Sequence, residues 1–362
     1  MWPRKKKNEI SPAAEPPTSV KSEQTDSECN GTSAGATAGR DQVFSTYIEP
    51  GLHANDLRNM GDLEANLGQI ETAQRHYAEA ELLYRQEQDM FGLANVLQSM
   101  GALESKLDQV EAARGHFADA ERLYRQEQSM IGLANVLSCM GDLESMLDQV
   151  ETAQGHYTEA EQLYRQEQSM LGLANVLKGM GNLENRLGHI KIAQAHYVNA
   201  EKLYRQEQDM LGLANVLKSM GDLESRLGQI EAACGYYDSA EQLYRQERHM
   251  LGLANVLLSM GDLERGRTDY VKAVKSYETA LAFYEQLQDG LGAAYTIGEL
   301  CRTYPYTRER DFAIRFLEKT IEMFDTFPEY TKGFVTNCIK EAKKLLRLGM
   351  RFHFFNHKNK KG

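Results

Sequence analysis

The chain has no long run of apolar residues. No stretch approaches the roughly eighteen consecutive apolar residues that a membrane-spanning helix requires. The N-terminus is basic and then polar, so the sequence predicts no secretory leader. The five cysteines lie far apart and form no metal-binding or redox spacing, which indicates unpaired thiols in a reducing compartment. We therefore expect a cytoplasmic protein.

Short motifs typical of active sites are also missing. The sequence contains no GxxxxGK, HExxH or GxSxG pattern and no catalytic grouping of cysteine with histidine. Gly290 and Gly292 lack a third glycine and follow no strand pattern, so a dinucleotide loop is not expected. We expect no catalytic residue, no cofactor and no metal site, and hence no enzyme.

Positive charge is scarce in the middle of the chain. The whole sequence carries a net charge of −11, although residues 328–362 hold nine Lys and Arg against two Asp and Glu. An acidic body repels phosphate backbones, so nucleic acid is not expected as a partner.

What the sequence does contain is a repeat of forty residues. The segment Gly-Leu-Ala-Asn-Val-Leu begins at Gly92, Gly132, Gly172, Gly212 and Gly252. Self-similarity with a period of this length predicts a stacked array of supersecondary units. We count six clear units from about residue 52 to 290 and a degenerate seventh that ends near residue 327.

Each unit is predicted to form two helices, A and B. In residues 92–131 a helical wheel places one apolar face on the A helix and another on the B helix. The A face contains Leu93, Val96, Leu97, Met100, Leu103 and Leu107, and the B face contains Ala113, Phe117, Ala120, Leu123 and Tyr124. Neither helix can bury its face alone, whereas stacked pairs can. The sequence therefore predicts an all-α solenoid.

Small and large residues alternate between the two helices in a specific pattern. Gly101, Ala113, Phe117 and Ala120 recur as Gly221, Ala233, Tyr237 and Ala240. This pattern resembles the signature of tetratricopeptide repeats, and the forty-residue period resembles their long-helix subclass. The resemblance covers residues 51–327. It implies a right-handed superhelix whose concave groove is lined by the A helices and binds peptides or partner proteins.

The two flanks differ from the repeats. Residues 1–50 are rich in Ser, Thr, Pro, Gly and Ala, which predicts a disordered tail. Its run Arg4, Lys5, Lys6 and Lys7 is either a solubilising segment or a nuclear import signal. Residues 328–362 predict an amphipathic helix that caps the solenoid, followed by a basic tail. The alternative is a basic helix that meets an acidic lipid surface or an acidic partner.

One asparagine per unit marks the first candidate site. This asparagine ladder consists of Asn95, Asn135, Asn175, Asn215 and Asn255. Asparagine is a mediocre helix former, so helix propensity does not explain five copies. An amide can donate to a backbone carbonyl and accept from a backbone N–H, so we expect the ladder to hold an extended peptide. The alternatives are amides that bond to a neighbouring repeat, and simple copying by recent duplication.

Four cations on the same side of the A helices form the second candidate site. Lys178, Arg186, Lys218 and Arg226 come from adjacent units. In the tetratricopeptide family such residues can clamp a ligand carboxylate, and four cations in an acidic body favour an acidic peptide or a C-terminus. The alternative is a solvated face paired with Asp222 and Glu184.

A glutamate stands where the family usually has tyrosine, three residues after the A-helix glycine. It recurs as Glu64, Glu104, Glu144, Glu184, Glu224 and Glu264. The wheel places it inside the apolar face, where an unpaired carboxylate is costly. The histidines and arginines nearby lapse in some units, whereas the B-helix tyrosines do not. We predict a buried acceptor that pairs with a tyrosine hydroxyl or an arginine.

These patterns predict an adaptor that binds an extended, acidic or carboxylate-ended peptide segment of a protein partner. The oligomeric state is left open. The rival functions are a regulatory subunit, such as a phosphatase-type regulator of a signalling protein, and a membrane-surface scaffold that uses the basic C-terminal helix.

Overall fold

The computed structural model describes residues 53–66, 68–287, 289–307, 310–322, 332–333 and 335–344. All of them belong to one compact unit, Tyr47–Gly362. The tail predicted for residues 1–50, its basic run and the basic C-terminal end lie outside the described residues, so those expectations stay predictions.

The described chain is helical throughout and contains no strand. The helices are α1 (Ala54–Asn66), α2 (Ile70–Glu87), α3 (Met90–Lys106), α4 (Val110–Gln126), α5 (Met130–Met146), α6 (Val150–Gln166), α7 (Met170–Arg186), α8 (Ile190–Gln206), α9 (Met210–Arg226), α10 (Ile230–Gln246), α11 (Met250–Gly266), α12 (Tyr270–Gln286), α13 (Gly290–Thr303) and α14 (Arg310–Glu322). A short 3-10 turn, Tyr304–Tyr306, separates the last two. Odd-numbered helices are the A helices of the repeat, and even-numbered helices are the B helices.

Helices pack in chain order, as a solenoid requires. Each A helix packs on its own B helix, and each B helix packs on the next A helix. Consecutive A helices from α1 to α11 also approach one another, whereas consecutive B helices of the described chain lie farther apart. The A helices therefore form the tighter, inner layer of the array. The prediction of an all-α solenoid of tetratricopeptide-like hairpins is confirmed.

A hydrogen-bonded cap fixes most turns from a B helix to the next A helix. Asp89 accepts a hydrogen bond at 2.8 Å from the backbone N–H of Gly92. Ser129 does the same for Gly132 at 3.2 Å. Such a cap satisfies one of the free N–H groups at a helix start. The cap residues vary in sequence but keep the same register, so every A helix starts at the same point of the repeat.

Glycines allow aromatic rings to lie directly on the A helices. A methyl group added to Gly181 would lie 2.6 Å from the ring of Tyr197, and Gly101 has the same relation to Phe117. The alanines that flank these rings on the B helices, such as Ala160 and Ala200, are fully buried. The small and large residues of the repeat signature are therefore the contact surfaces of each hairpin.

We expect Gly181→Leu to destabilise the array by about 1–3 kcal/mol, because the added side chain overlaps the Tyr197 ring and overpacks the hairpin. Gly155 is the matched control, since it is a helical glycine with open space around it. Gly155→Leu should be neutral or stabilising by up to about 0.8 kcal/mol through helix propensity. Thermal unfolding of the two variants is the measurement, and equal melting temperatures would contradict the packing argument. Ala160→Leu should behave like Gly181→Leu.

Helical residues 335–344 pack at the C-terminal end of the array. Val335, Cys338 and Ala342 are buried in one cluster with residues of α12, α13 and α14. This is the part of the predicted capping segment that the structure describes.

Candidate functional site: the A-helix groove

Every asparagine of the ladder accepts a hydrogen bond from a tyrosine of its own hairpin. The tyrosine lies 29 residues later, near the end of the B helix, and its hydroxyl donates to the asparagine Oδ1 at 2.6–2.7 Å. The pairs are Asn95 with Tyr124, Asn135 with Tyr164, Asn175 with Tyr204, Asn215 with Tyr244, and Asn255 with Tyr284. Asn55 and Tyr84 form a sixth pair that the ladder did not include.

This bond leaves only half of each amide available to a ligand. The oxygen is occupied, whereas the amide nitrogens of the ladder donate to no described residue. Asn95, Asn135 and Asn215 are half-buried, and Asn175 and Asn255 are exposed. Because the tyrosine fixes the oxygen, it also fixes the direction of the NH₂ group. The ladder is thus a row of oriented donors, not the donor–acceptor pair that the sequence suggested.

Two of the four predicted cations form hydrogen bonds that link consecutive A helices. Arg226 on α9 donates to the backbone carbonyl of Asn185 at 2.8 Å and to its side-chain oxygen at 2.7 Å. Arg186 on α7 makes the equivalent bond to the carbonyl of Ser145 and forms an ion pair with Asp148. These guanidinium groups satisfy carbonyls at the end of the preceding A helix.

The two lysines differ in their surroundings. Lys218 forms an ion pair with Asp222, one turn later on α9, at 2.8 Å. Lys178 has Asn182 at that position, and the Asn182 oxygen already accepts from the Tyr197 hydroxyl at 2.8 Å. Lys178 forms no ion pair with any described residue, although its charge offsets a small part of the rise that desolvation causes in the pKa of Asp142. Among the four cations, Lys178 has the most freedom to meet a ligand.

A cleft of about 600 Å³ runs across α3, α5 and α7. Four of the nine predicted site residues line it: Asn135, Asn175, Lys178 and Arg186. Asp142 is also on its wall, where its side chain still reaches solvent and desolvation by the neighbouring protein atoms raises the pKa of the carboxyl group. The cleft thus presents amide donors, one lysine and one carboxylate on the inner layer of the solenoid.

A second row of tyrosines also bonds to the A helices, and sequence reasoning missed it. Tyr157 donates to Asp142 at 2.6 Å, and Tyr197, Tyr237 and Tyr277 donate to the equivalent position of their own hairpins. The second clear repeat carries Phe117 instead, and its acceptor position is Ala102. The repeat that lacks the tyrosine hydroxyl therefore also lacks the acceptor on the A helix. This paired change in the sequence could have revealed the contact between the two positions.

The repeated glutamates are shielded, but the predicted tyrosine partner is wrong. Glu144 and Glu184 are buried and the others half-buried. Arg114 binds Glu144 at 2.8 and 3.0 Å, as an arginine partner was predicted to do. The remaining glutamates bond to histidine, glutamine or serine: Glu64 to His76, Glu104 to His116, Glu184 to His189 and Gln154, Glu224 to Gln194, and Glu264 to Ser276. The tyrosines are taken by the asparagines and aspartates, so the glutamate partner changes from unit to unit.

No set of His, Cys, Asp and Glu side chains in the described residues has the geometry of a metal site. Cys139 lines the cleft, but burial raises the pKa of its thiol to about 12, which keeps it protonated. Within the described residues no helix is both long and apolar enough to cross a membrane.

Comparison with known families identifies the class. The sequence profile of the soluble NSF attachment protein family, SNAP, matches residues 101–291, which is more than half of the chain. The chain therefore belongs to this family of tetratricopeptide-like helical repeats. A comparison with curated protein sequences finds no match.

Solved structures share the fold at low sequence identity. A signal transduction ATPase with numerous domains and a tetratricopeptide repeat sensor, from Pyrococcus horikoshii, matches 85% of this chain with a TM-score of 0.59 and 14% identity. The chain spans about half the length of that structure, 49%. A Rap protein complexed with Competence and Sporulation Factor matches 74% of this chain and 76% of its own, with a TM-score of 0.53 and 16% identity. The apo form of RapI matches 82% of this chain and 99% of its own, with a TM-score of 0.53 and 12% identity.

Proposed function

We propose that the chain is a protein-interaction scaffold whose A-helix groove holds an extended segment of a partner protein. The observation that carries the proposal is the row of tyrosine-fixed asparagine amides, whose free NH₂ groups are repeated on the inner layer of the solenoid. Adjacent packed helices lie roughly 8–10 Å apart and an extended chain advances about 3.3 Å per residue. One amide would then meet a ligand carbonyl at about every third residue.

The cleft adds a charge preference to this backbone contact. Lys178 supplies an ammonium group that no described carboxylate neutralises by direct contact, so the segment carries an acidic side chain or a terminal carboxylate there. Arg186, Lys218 and Arg226 contribute through the field of the groove, because each already bonds within the chain.

The family name supports a protein as the ligand. Soluble NSF attachment proteins are named for attachment to NSF, which is a protein partner. Regulation of a signalling protein is the second candidate function, because the Rap protein that shares the fold was solved with a factor bound. Both functions use the groove as the binding surface, and neither requires catalysis by this chain.

Aspartate substitutions separate binding from stability. We expect Asn135→Asp, Asn175→Asp and Asn215→Asp together to weaken binding at least about tenfold, at about 0.5–1.5 kcal/mol for each lost neutral hydrogen bond. Each aspartate keeps an oxygen for its tyrosine, so the fold should survive. Alanine would instead leave the buried hydroxyl unpaired. The probe is a fluorescent peptide selected on the wild-type protein from a random twelve-residue display library.

The matched control adds three negative charges outside the groove, through Gln126→Glu, Gln166→Glu and Gln206→Glu on exposed B-helix ends. It should bind the peptide as the wild type does.

A second experiment tests the charge preference. Lys178→Gln should weaken binding more than Lys218→Gln, and more at low salt than at high salt. If every groove substitution leaves the affinity for the selected peptides unchanged, the groove is not the binding surface.

A further inference from the structure

A second surface of the solenoid combines exposed apolar side chains with unpaired carboxylates. It lies along the edge where each B helix turns into the next A helix. The second residue of the A helix is exposed by 38–48% of its surface in five of six repeats: Phe91, Ile131, Leu171, Leu251 and Leu291. Leu211 is half-buried at the same position. We call this row the turn edge.

Sequence variation at the turn edge argues for a selected property. Met-x-Gly-Leu-Ala-Asn-Val-Leu is identical in five repeats except at x, which is Phe, Ile or Leu. This position has changed between the copies but has stayed large and apolar. Duplication of the repeat alone does not explain why it has kept that character. Packing explains part of it, since Phe91 meets the edge of the Tyr124 ring at 6.0 Å. The exposed remainder of each side chain has no partner in the described chain.

The charge beside this row is negative. An exposed glutamate stands four residues before five of the six apolar residues, and Leu291 is the exception. The glutamates are Glu87, Glu127, Glu167, Glu207 and Glu247. None of their side-chain carboxylates forms an ion pair or hydrogen bond with a described residue. The neighbouring arginines are neutralised by their own helices, as Arg85 is by Glu81 at 2.7 Å and Arg245 is by Glu241 at 2.6 Å. Arg248 is the one added cation on this edge.

From these observations we infer that the turn edge binds a basic amphipathic helix of a partner protein. Apolar residues of that helix pack on the exposed row, and flanking lysines or arginines meet the glutamates. The spacing fits a helix, because seven residues rise about 10.5 Å and neighbouring A helices lie roughly 8–10 Å apart. The partner helix therefore places one apolar residue at about every seventh position. This surface is distinct from the groove and does not depend on the groove function.

Three synthetic peptides of equal length test the inference by fluorescence anisotropy with the full chain. The first carries leucine at every seventh position with flanking lysines, the second replaces lysine by glutamate, and the third scrambles the first. We expect saturable binding of the first alone, weaker at high salt. Ile131→Ser, Leu171→Ser and Leu251→Ser together should weaken it at least tenfold, and so should Glu127→Gln, Glu167→Gln and Glu207→Gln.

Glu71→Gln, Glu151→Gln and Glu231→Gln together are the matched control, because these exposed glutamates lie at the opposite turn of the repeat, and this variant should bind the first peptide as the wild type does. Circular dichroism checks that the exposed substitutions leave the fold intact. Equal binding of the scrambled peptide, or binding that the turn-edge variants leave unchanged, would overturn the inference. So would self-association of the wild type that the serine variant abolishes, because the edge would then be an interface between copies of this chain.

Discussion

Raising the pH above about 10 is expected to unfold the array cooperatively. Burial raises the pKa of eleven tyrosines of the buried core, and it raises that of Tyr197 to about 12. The others are Tyr77, Tyr84, Tyr124, Tyr157, Tyr164, Tyr204, Tyr237, Tyr244, Tyr277 and Tyr284. At most 3% of any of these side chains is exposed. Ionised tyrosine is therefore tolerated far better by the unfolded chain than by the folded one.

The sign follows from proton linkage. Because each folded pKa lies above the unfolded value near 10, the stabilisation is complete below pH 10 and is lost as the pH rises through the folded pKa. Each buried tyrosine contributes a loss of about 1.4 kcal/mol per pH unit in that window, so a hairpin with two of them loses roughly 3 kcal/mol. The total free energy of unfolding of a protein is about 5–15 kcal/mol, so this loss exhausts it within a few pH units.

Two signals recorded during one alkaline titration check this expectation. Tyrosinate absorbance should rise in a first phase from the exposed tyrosines and then in a steep second phase. The helical circular dichroism signal should stay constant through the first phase and collapse with the second. If all tyrosines titrate near pH 10 while the helices persist, the rings are not buried as the structure places them.

Periodicity made the fold predictable. The forty-residue repeat, the apolar faces and the glycine–aromatic pairs each require a helix hairpin, and all six clear units agree. Local variation adds information because the copies are otherwise nearly identical. The change of Tyr to Phe117 together with the change of Asp to Ala102 is one such signal, and it identifies the contact between those two positions.

Side-chain partners in the groove were harder to predict. A helical wheel gives the direction of a side chain but not the depth at which two helices meet, so it could not decide which tyrosine reaches which acceptor. The sequence therefore predicts a tyrosine or an arginine partner for the glutamates, whereas Tyr164 reaches Asn135 and Tyr157 reaches Asp142, and only Glu144 has an arginine partner. Contacts between consecutive repeats, such as Arg226 with the carbonyl of Asn185, depend on the stacking distance, which no single-unit pattern contains.

Those partners change how the groove is expected to recognise a ligand. With its oxygen held by a tyrosine, each asparagine can only donate, so under the proposed function we expect the groove to contact carbonyl oxygens of the bound segment. Two arginines are committed to the stacking of repeats, which leaves Lys178 as the principal contact for a ligand carboxylate. We therefore expect the groove to accept many ligand sequences through its contacts to the ligand backbone, and to prefer a negative charge where the ligand meets Lys178.

Removal of Glu299 is expected to destabilise the C-terminal end of the array by about 1–3 kcal/mol, the range for losing charge-assisted hydrogen bonds at a partly buried site. Glu299 is only 3% exposed and takes the place that serine or another small residue holds in earlier A helices. It forms ion pairs with Arg302 at 3.0 Å and with Arg265 of the preceding A helix at 3.3 Å. Glu299→Ala removes the one carboxylate that both arginines share, and it leaves Arg302 with Glu341 and Arg265 with Asp262 as their remaining partners.

Glu341→Ala is the matched control, because Glu341 binds the same Arg302 at 3.0 Å but keeps 58% of its side chain exposed. An exposed ion pair is worth about 0–1 kcal/mol, so this variant should unfold almost as the wild type does. Denaturant unfolding measures the total loss for both variants. Hydrogen exchange should place the loss for Glu299→Ala in α13 and in residues 335–344, while exchange in α3 to α6 stays at the wild-type rate, since each repeat contacts only its neighbours. Equal destabilisation by the two alanines would mean that burial of Glu299 does not determine the stability of this end.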